Sequence, residues 1–371
     1  MRNNDPKDHE TDAAFFLQDL SGGGAEKIMS GLANELARRG FKVDFVLVQA
    51  TGVNLKSLDD KIRVVDLKSK NTYQCLPALM RYLKGRRPRV FLSSLDLTNL
   101  MALIARRITG VKTRLVIRIE ILESAQKRPA LKKWLEKFLL TALYPWADEV
   151  VAISTTVAED IIDYAKLPAN KVHVVYNPVV TPELLNKAKE DAGHEWFKKG
   201  SPPVILGAGR LTEQKGFETL LEAFALVRKK TEARLIILGE GELRPSLETI
   251  SQRYGIEKDV DLHGYVENPY SFMRQSSVFV LSSKWEGSPS VLIAALACGC
   301  PVVSTDCPGA VREILADGAY GDLVPVGDAT AMAEAIEKVL NGGGKHAAAN
   351  WLDQFSIEKV TDQTMKVLKL S

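Results

Sequence analysis

The chain has 371 residues, 46% of them hydrophobic, which is enough apolar material for the cores of two ordinary domains. It contains no run of about eighteen apolar residues and no apolar signal-peptide core near its start, so we expect a cytoplasmic protein without a membrane-spanning helix. Its 4 cysteines lack zinc-ligand spacing, which favours reduced thiols.

The net charge of +3 hides an asymmetry between the two halves of the chain. Residues 1–180 hold 28 Lys/Arg and 20 Asp/Glu, a balance of +8, whereas residues 181–371 hold 21 and 26, a balance of −5. The basic half predicts an anionic partner. Because its cations lack interleaved aromatic platforms and match no nucleic-acid reader motif, we expect an anionic membrane surface and no nucleic acid.

Strand-like apolar runs alternate with amphipathic segments, the pattern of parallel strands joined by helices. In the first half the predicted strands are residues 13–17, 42–48, 90–93, 114–119, 149–153 and 172–176, with helices such as 26–39 and 97–107 between them. The pattern stops near Pro178, and a polar stretch follows. A second series predicts strands at residues 204–208, 234–238, 260–262, 278–281, 301–304 and 321–324. The sequence therefore predicts an α/β fold of two doubly wound, Rossmann-like domains with a cleft between them.

Three consecutive glycines, Gly22, Gly23 and Gly24, precede the first predicted helix. They do not fit the G-x-G-x-x-G dinucleotide pattern, because its last position would be Lys27, and the Gly-Lys-Ser/Thr of a P-loop is absent. Two interpretations remain. The glycines form either a plain tight turn or a ligand-binding loop at the carboxyl edge of the sheet.

Arg210 and Lys215 follow the predicted strand 204–208, and Gly209 beside them permits close backbone approach. Fixed positive charge of this kind suits a diphosphate, although most basic residues are ordinary surface charges. We expect both cations to be exposed. Glu286, where we predict that a helix begins, has two interpretations, a carboxylate that holds sugar hydroxyls or one that interacts only with the dipole of that helix.

Asp259 and Asp261 form a D-x-D pattern, which binds metal in another transferase fold. Because a strand follows at once, we predict a loop-to-strand boundary with both carboxylates directed into solvent. No cluster of His, Cys and carboxylates has ligand spacing in the sequence, so neither a metal nor a cofactor is predicted.

The segment 126–146 places apolar residues, including Trp134, at helical spacing and basic residues on its other faces. The basic residues are Arg128, Lys132, Lys133 and Lys137. Two interpretations stay open. The helix either packs in the core with a solvated basic face or docks on an anionic membrane.

The stretch 207–315 carries several motifs in a fixed order, namely Gly209-Arg210-Leu211, Lys215-Gly216, Gly239-Glu240-Gly241, His263-Gly264-Tyr265-Val266, Trp285-Glu286-Gly287-Ser288-Pro289 and Ala297-Cys298-Gly299. Together with the glycine loop and with Asn177-Pro178, they resemble the retaining GT-B glycosyltransferases of family 4, over roughly residues 13–371. The resemblance implies a GT-B fold whose C-terminal helix crosses back to the first domain. The expected domains are residues 13–180 with 356–371, which face the acceptor and the membrane, and residues 200–355, which bind the nucleotide sugar. Polar residues 1–12 are predicted to form a disordered tail.

The function that the resemblance implies is transfer of a sugar, with retention, from a nucleotide diphosphate donor to a hydroxyl of a lipid-linked or cell-envelope glycan. UDP is the expected nucleotide, and attachment to the inner face of the cytoplasmic membrane is the expected location. Arg210 and Lys215 would stabilise the leaving diphosphate, and Glu286 would orient the sugar. Further donor contacts are expected from Gly22, Gly23, Gly24, Gly209, Val266, Ser288, Pro289, Ser290 and Val291.

Two positions depart from the family pattern. Ala294 stands where the family carries a second glutamate, which resembles a clamp on the ribose hydroxyls, and Glu120 lies at or beside the place of a family histidine near the sugar. These departures leave two alternatives, a GT-B protein that binds the donor with weak or no turnover, or a Glu→Ala variant of an active enzyme. A nucleotide-sugar epimerase is a third alternative, which the residues around Glu286 disfavour.

Overall fold

In the computed structural model, residues 10–21, 23–124 and 129–370 are described. The chain forms two compact units, of which unit 1 comprises Met1–Pro178 with Ile357–Ser371 and unit 2 comprises Val179–Ser356. Two predicted site residues, Gly22 and Arg128, lie outside the described residues, as do residues 1–9 of the predicted tail.

Unit 1 contains a parallel sheet of seven strands within the described residues, in the order β3-β2-β1-β4-β5-β6-β7. The strands β1, β2 and β4 are buried along their whole length, and their sequences are apolar except for the buried Asp44 in β2 and the buried Ser93 and Ser94 in β4. The short edge strand β3 was not predicted, because half-buried and exposed positions alternate over only four residues. The bounds are β1 Ala13–Leu17, β2 Val43–Leu47, β3 Arg63–Asp66, β4 Val90–Ser94, β5 Arg114–Ile119, β6 Glu149–Ala152 and β7 Val172–Val174.

The helices that connect these strands are α1 Gly24–Arg38, α2 Leu76–Arg86, α3 Asp96–Thr109, α4 Ala130–Leu143 and α5 Thr155–Ala165. Two hydrophobic clusters within unit 1 fill the space between sheet and helices. Leu32 and Leu36 on α1 belong to one cluster, and Leu103 on α3 belongs to the other. Burial of such helix faces is the main stabilising contribution to a doubly wound sheet.

The residues just before β1 are part of the folded unit. Thr11 is 1% exposed, and its hydroxyl donates to Asp44 Oδ2 at 3.0 Å. The Asp12 carboxylate accepts a hydrogen bond from the Lys42 backbone N–H at 2.8 Å. The prediction of a disordered tail is therefore wrong for residues 10–12, because their polar groups extend the hydrogen bonding of the sheet.

Unit 2 contains a second parallel sheet, with six strands among the described residues in the order β10-β9-β8-β11-β12-β13. Its strands are β8 Val204–Ala208, β9 Arg234–Leu238, β10 Val260–Gly264, β11 Val278–Leu281, β12 Val302–Thr305 and β13 Asp322–Val324. Its helices are α6 Pro182–Lys187, α7 Phe217–Arg228, α8 Arg244–Tyr254, α9 Pro269–Gln275, α10 Ser290–Ala297, α11 Val311–Ile314, α12 Ala329–Lys338 and α13 Ala349–Leu352.

The last helix, α14 Ile357–Leu368, belongs to unit 1 although it follows unit 2 in the chain. Ile357, Val360 and Leu368 are buried in the cluster that contains Leu32 of α1. Arg39 at the end of α1 donates to Asp362 Oδ1 at 2.5 Å. Apolar burial and this ion pair therefore attach the C-terminal helix to the first unit.

Each sheet has one point where the strand order reverses. In unit 1 the chain moves outwards from β1 through β2 to β3 and then returns to β4 on the other side of β1. In unit 2 the same reversal lies between β8 and β11. In open parallel sheets the loops that leave the carboxyl ends of two such strands diverge, and ligands bind between them.

Candidate active site

The loops after β8 and β11 bring Lys215 and Glu286 together at the reversal point of unit 2. Lys215 Nζ lies 2.6 Å from Glu286 Oε1, with side-chain exposures of 17% and 7%. The two residues are 71 positions apart in the chain, so only the sheet topology makes them neighbours. The expectation that Lys215 is exposed is wrong, because its ammonium group is directed inwards to pair with a buried carboxylate.

A second group donates to the same carboxylate oxygen. The hydroxyl of Ser283, a residue that is 0% exposed, lies 2.6 Å from Glu286 Oε1. Within the described residues, both hydrogen bonds to this carboxylate end on Oε1. Oε2 is therefore left to accept a hydrogen bond from a ligand. Sequence reasoning missed Ser283, since one more serine after an apolar strand gives no distinctive signal.

Backbone contacts hold these two loops against each other. The Lys284 N–H donates to Gln214 O at 2.7 Å, and the Gln214 side chain donates to Trp285 O at 2.9 Å. Gly216 has φ +60°, and a Cβ there would lie 2.3 Å from Ser282 O. No side chain fits in that space, so the glycine in the Lys-Gly motif is required for the loops to approach.

Glu286 is also fixed from the loop after β12. Its N–H donates to Pro308 O at 2.9 Å. Gly309 has φ +124°, and a Cβ on it would lie 1.8 Å from Glu286 O. Three loops at the carboxyl edge of the sheet thus determine where this carboxylate sits, before any ligand is bound.

Arg210 differs from Lys215 in its environment. It directly follows Gly209 in the loop after β8 and is exposed, and its guanidinium has no hydrogen-bond or ion-pair partner among the described residues. Gly209 itself donates its N–H to Leu238 O at 2.9 Å, and a Cβ there would lie 3.2 Å from the Lys215 chain. This loop therefore carries Lys215, which is paired with Glu286, and Arg210, which has no partner among the described residues.

The loop from Glu286 leads into α10, which begins at Ser290. Pro289 occupies the N-cap, and its carbonyl accepts from the Leu292 N–H at 3.0 Å. The hydroxyl of Ser288 is buried and has no hydrogen-bond partner among the described residues. The hydroxyls of Ser30, Ser93, Thr113 and Thr361 are buried in the same way, so the unpaired Ser288 hydroxyl is compatible with a polar ligand atom but does not by itself indicate one.

Ala294 lies in the middle of α10 and is 3% exposed. The predicted start of this helix at Glu286 is four residues too early. The turn before the helix contains the same residue types as a helix start. Val291 is half-buried in the first turn of the same helix. A glutamate at position 294 would therefore start from a buried Cβ.

The loop after β10 carries the residues expected to contact the base. Gly264 ends the strand with φ +90°, Tyr265 is 82% exposed, and Val266 is half-buried. Arg244 donates to Glu240 Oε1 at 2.8 Å and to Leu262 O at 2.6 Å. These contacts tie the glycine-rich loop after β9 to the end of β10.

Cys307 lies close enough to Glu286 for the charge of that carboxylate to affect the pKa of its thiol. Burial, together with the negative charge of Glu286, raises the pKa of the Cys307 thiol to about 12. All four cysteines are free and buried. The thiol is therefore protonated at neutral pH and is not a nucleophile.

The prediction that Asp259 and Asp261 point into solvent is wrong, because both carboxylates have side-chain partners. Arg228 donates to Asp259 Oδ2 at 2.8 Å, and Arg234 forms a second ion pair with the same carboxylate. Asp261 Oδ2 lies 3.0 Å from His194 Nε2 and 2.8 Å from His263 Nδ1. The prediction failed because segments distant in sequence supply partners along this edge strand.

His194, Asp261 and His263 bring three potential metal-ligand atoms within 4.8 Å of one another. The Trp196 backbone N–H donates to His194 Nδ1 at 3.1 Å. Because Nδ1 accepts a hydrogen bond, the proton of the neutral ring is on Nε2, which donates to Asp261. A metal would need the Nε2 lone pair, so the geometry favours a hydrogen-bonded cluster.

In unit 1 the glycine loop follows β1, beside the point where the strand order reverses. Gly23 is the N-cap of α1, and Gly24 is its first residue. A Cβ on Gly24 would meet no atom within 4 Å. A Cβ on Gly23 would lie 2.2 Å from Glu26 Oε2, so a carboxylate of the first turn already lies at this helix N-terminus.

Glu120 directly follows β5 at the carboxyl edge of the same sheet. Its Oε1 accepts from Ser94 Oγ at 2.8 Å and from Arg118 Nε at 2.8 Å. Arg118 is 1% exposed, and it donates to Asn177 Oδ1 at 2.5 Å. Sequence reasoning missed Arg118, although a lone arginine inside an apolar strand was a usable signal, since buried cations are almost always paired.

The face of α4 is apolar and exposed rather than packed in a core. Trp134 is 65% and Phe138 59% exposed, and their rings stack with centroids 6.0 Å apart. Leu131, Leu135 and Leu139 are also exposed, and Leu140 is the buried residue of this helix. Lys132 and Lys137 are exposed, whereas Lys133 donates to Ser124 O at 2.9 Å. Among the described residues, no helix is both long enough and apolar enough to cross a bilayer.

Comparison with known proteins identifies the family. Two family models match the chain, Glycosyltransferase Family 4 over residues 22–182 and Glycosyl transferases group 1 over residues 188–351. An N-acetylgalactosamine-N,N'-diacetylbacillosaminyl-diphospho-undecaprenol 4-alpha-N-acetylgalactosaminyltransferase from Campylobacter jejuni is 30% identical over 339 residues, which cover 88% of this chain and 89% of the relative. The chain belongs to the family 4 glycosyltransferases.

Solved structures of other proteins agree with this fold. The lipopolysaccharide outer core galactosyltransferase WaaB in its apo form superposes with a TM-score of 0.73 at 21% identity, covering 96% of this chain and 99% of that one. Anabaena Alr3699/HepE in complex with UDP-glucose superposes with a TM-score of 0.78 at 18% identity, covering 97% and 100%. The predicted GT-B fold is therefore confirmed, and this family 4 protein is a glycosyltransferase enzyme.

Proposed function

We propose that this enzyme transfers a sugar from a UDP-sugar to a hydroxyl of a lipid-linked or cell-envelope glycan, with retention of configuration. The observation that carries the proposal is the Lys215–Glu286 pair at the point where the strand order of unit 2 reverses. The exposed Arg210 lies in the same loop as Lys215. Cations and a carboxylate are what a leaving diphosphate and a sugar require, respectively.

In this mechanism the bond between the anomeric carbon and the diphosphate oxygen breaks while a bond to the acceptor oxygen forms on the same face. The acceptor proton passes to the departing diphosphate. Arg210 and Lys215 stabilise the negative charge that develops there, so no metal ion is proposed. Glu286 Oε2 accepts a hydrogen bond from a sugar hydroxyl, and the buried Ser288 hydroxyl finds its missing partner on the donor.

We assign the remaining donor contacts to loops that the sequence motifs single out. In unit 2 the backbone around Val266 lies against the base, and Ser290 and Val291 in the first turn of α10 contact the donor. In unit 1 we assign Gly23 and Gly24 to the diphosphate and acceptor, and Glu120 to the sugar or acceptor hydroxyls. UDP is supported by the UDP-glucose bound to the neighbour Alr3699/HepE, and a lipid-linked acceptor by the undecaprenol named for the Campylobacter relative.

We further propose that α4 attaches the enzyme to the inner face of the cytoplasmic membrane. The helix exposes a stacked aromatic pair flanked by Lys132 and Lys137, a combination of apolar and basic groups that suits an anionic leaflet. Each basic residue near such a surface contributes on the order of 1 kcal/mol, so the attachment is reversible.

Vesicle sedimentation tests the attachment. The protein should bind vesicles of phosphatidylglycerol and phosphatidylcholine, bind those of phosphatidylcholine alone more weakly, and dissociate as salt rises. Lys132→Glu with Lys133→Glu should weaken binding, and Trp134→Ser should do the same without changing the charge. Lys198→Glu with Lys199→Glu, an equal charge reversal at two adjacent exposed lysines of unit 2, is the control. Vesicle binding that is unaffected by salt and by all these variants would contradict the proposal.

The function itself is tested by product analysis. The enzyme is incubated with a panel of nucleotide sugars, with and without a lipid-linked acceptor extract, and both glycosylated lipid and free nucleotide are measured. Transfer from a UDP-sugar supports the proposal. Donor binding without either product supports a protein with little turnover, the alternative motivated by Ala294, and a change of the donor sugar itself indicates an epimerase.

A further inference from the structure

The position of Ser283 in the active site distinguishes it from the other serines around it. It lies two residues after the end of β11, and its side chain is fully buried. Its carbonyl accepts a hydrogen bond from Thr305 Oγ1 at 2.6 Å, and Thr305 ends the neighbouring strand β12 with 0% exposure. The backbone of Ser283 is therefore fixed by the sheet rather than by a free loop.

The Ser283 hydroxyl uses this fixed position to donate to Glu286 Oε1 at 2.6 Å. Lys215 donates to the same oxygen, but the two donors differ in freedom. Lysine carries its ammonium on four rotatable bonds, whereas a single rotatable bond positions the hydroxyl oxygen of serine. Lys215 can leave Glu286 for a phosphate oxygen, and Ser283 cannot.

The terminal torsion of a glutamate is broad, so a carboxylate held by one flexible donor rotates easily. When Lys215 turns towards the diphosphate, Ser283 remains to hold Oε1 and to keep Oε2 directed to the sugar. We propose that Ser283 is a positioning residue, which fixes the Glu286 carboxylate for the donor sugar while Lys215 engages the leaving group. The inference rests on the proposed function of Glu286 as the sugar-binding carboxylate.

The test compares two buried serines in unit 2. Ser283→Ala removes the hydrogen bond to Glu286, whereas Ser304→Ala removes an equally buried hydroxyl that donates to the Thr305 carbonyl at 3.0 Å. We expect Ser283→Ala to lower kcat about tenfold to a hundredfold, the effect of one hydrogen bond to a charged group, with a smaller change in the donor KM. Ser304→Ala should shift the unfolding temperature similarly and leave kcat unchanged.

A double-mutant cycle with Glu286 separates positioning from a general structural role. In the Glu286→Ala background, Ser283→Ala should cause no further loss of kcat, measured as the residual sugar transfer from a UDP-sugar, because its partner is gone. Additive losses in the cycle, or equal kcat values for Ser283→Ala and Ser304→Ala, would overturn the inference. A wild-type protein that transfers no sugar and binds no donor would instead overturn the proposed function, and with it the role of Ser283.

Discussion

Removal of Lys215 should affect both turnover and stability, whereas removal of Arg210 should affect turnover alone. Lys215 pairs with Glu286 at 2.6 Å where both side chains are largely buried, and Arg210 is exposed without a partner among the described residues. Each alanine variant should lose turnover by about a hundredfold, because each removes a cation that stabilises the leaving diphosphate.

The stability effect follows from the charge that is left behind. Lys215→Ala leaves the Glu286 side chain, which is 7% exposed, with Ser283 as its single hydrogen-bond donor among the described residues. Removal of one partner from a fully buried pair costs about 3–5 kcal/mol, and the partial exposure of Lys215 reduces our expectation to about 2 kcal/mol. For a unit of this size the unfolding temperature should fall by about 4–8 °C. Arg210→Ala should unfold at the wild-type temperature.

Thermal unfolding without donor, together with sugar transfer at a saturating acceptor, measures both effects. The double variant Lys215→Met, Glu286→Gln provides the matched control, because it removes both charges and keeps the side-chain volumes. It should be more stable than the sum of the single losses predicts. Equal unfolding temperatures for Lys215→Ala and Arg210→Ala would show that the Lys215–Glu286 ion pair does not stabilise the folded protein, which would contradict the prediction.

Three further predictions concern other parts of unit 2. Ala294→Glu should lower the unfolding temperature of the free protein, because the position is 3% exposed, yet tighten UDP-sugar binding about tenfold to a hundredfold by calorimetry; unchanged affinity would mean that position 294 does not reach the ribose. Gly309→Ala should impair donor binding and folding together, since its Cβ would meet the Glu286 carbonyl, whereas Gly255→Ala, where no atom lies within 4 Å, should spare donor binding. Burial raises the pKa of Asp322, but hydrogen bonds from Lys345 and Lys338 lower it by more. The net pKa of this carboxyl is therefore below its usual range. Asp322→Asn should therefore lower stability at neutral pH, a difference that is present above pH about 4 and lost as pH falls through the folded-state pKa; a gap that persists in strong acid would contradict this.

The sequence predicted the elements whose local pattern is strong. Strands such as β1 and β8 are buried on both faces, so every residue must be apolar and the run is visible without any knowledge of neighbours. The edge strand β3 escaped prediction because one face meets solvent and the run is short. The start of α10 was placed four residues early, since turn residues and helix-start residues are of the same types.

The site was predicted as a set of residues but not as an arrangement. Arg210, Lys215 and Glu286 were identified from motifs, yet the sequence could not tell that Lys215 is paired and Arg210 is not. Likewise, Asp261 was predicted to face solvent, and the structure places it between two histidines. Pairing of this kind depends on which loops the sheet order makes neighbours.

The sequence by itself determined the fold class, the residue types at the carboxyl edges of the strands and the apolar face of α4, because these follow from periodicity and from backbone preferences within a few residues. Only the tertiary structure decided that Lys215 reaches Glu286 and that Arg118 is buried against Asn177. The physical reason is the same in both cases. A hydrogen bond needs atoms within about 3 Å, and residues far apart in the chain reach that distance only after the strands have taken their order in the sheet.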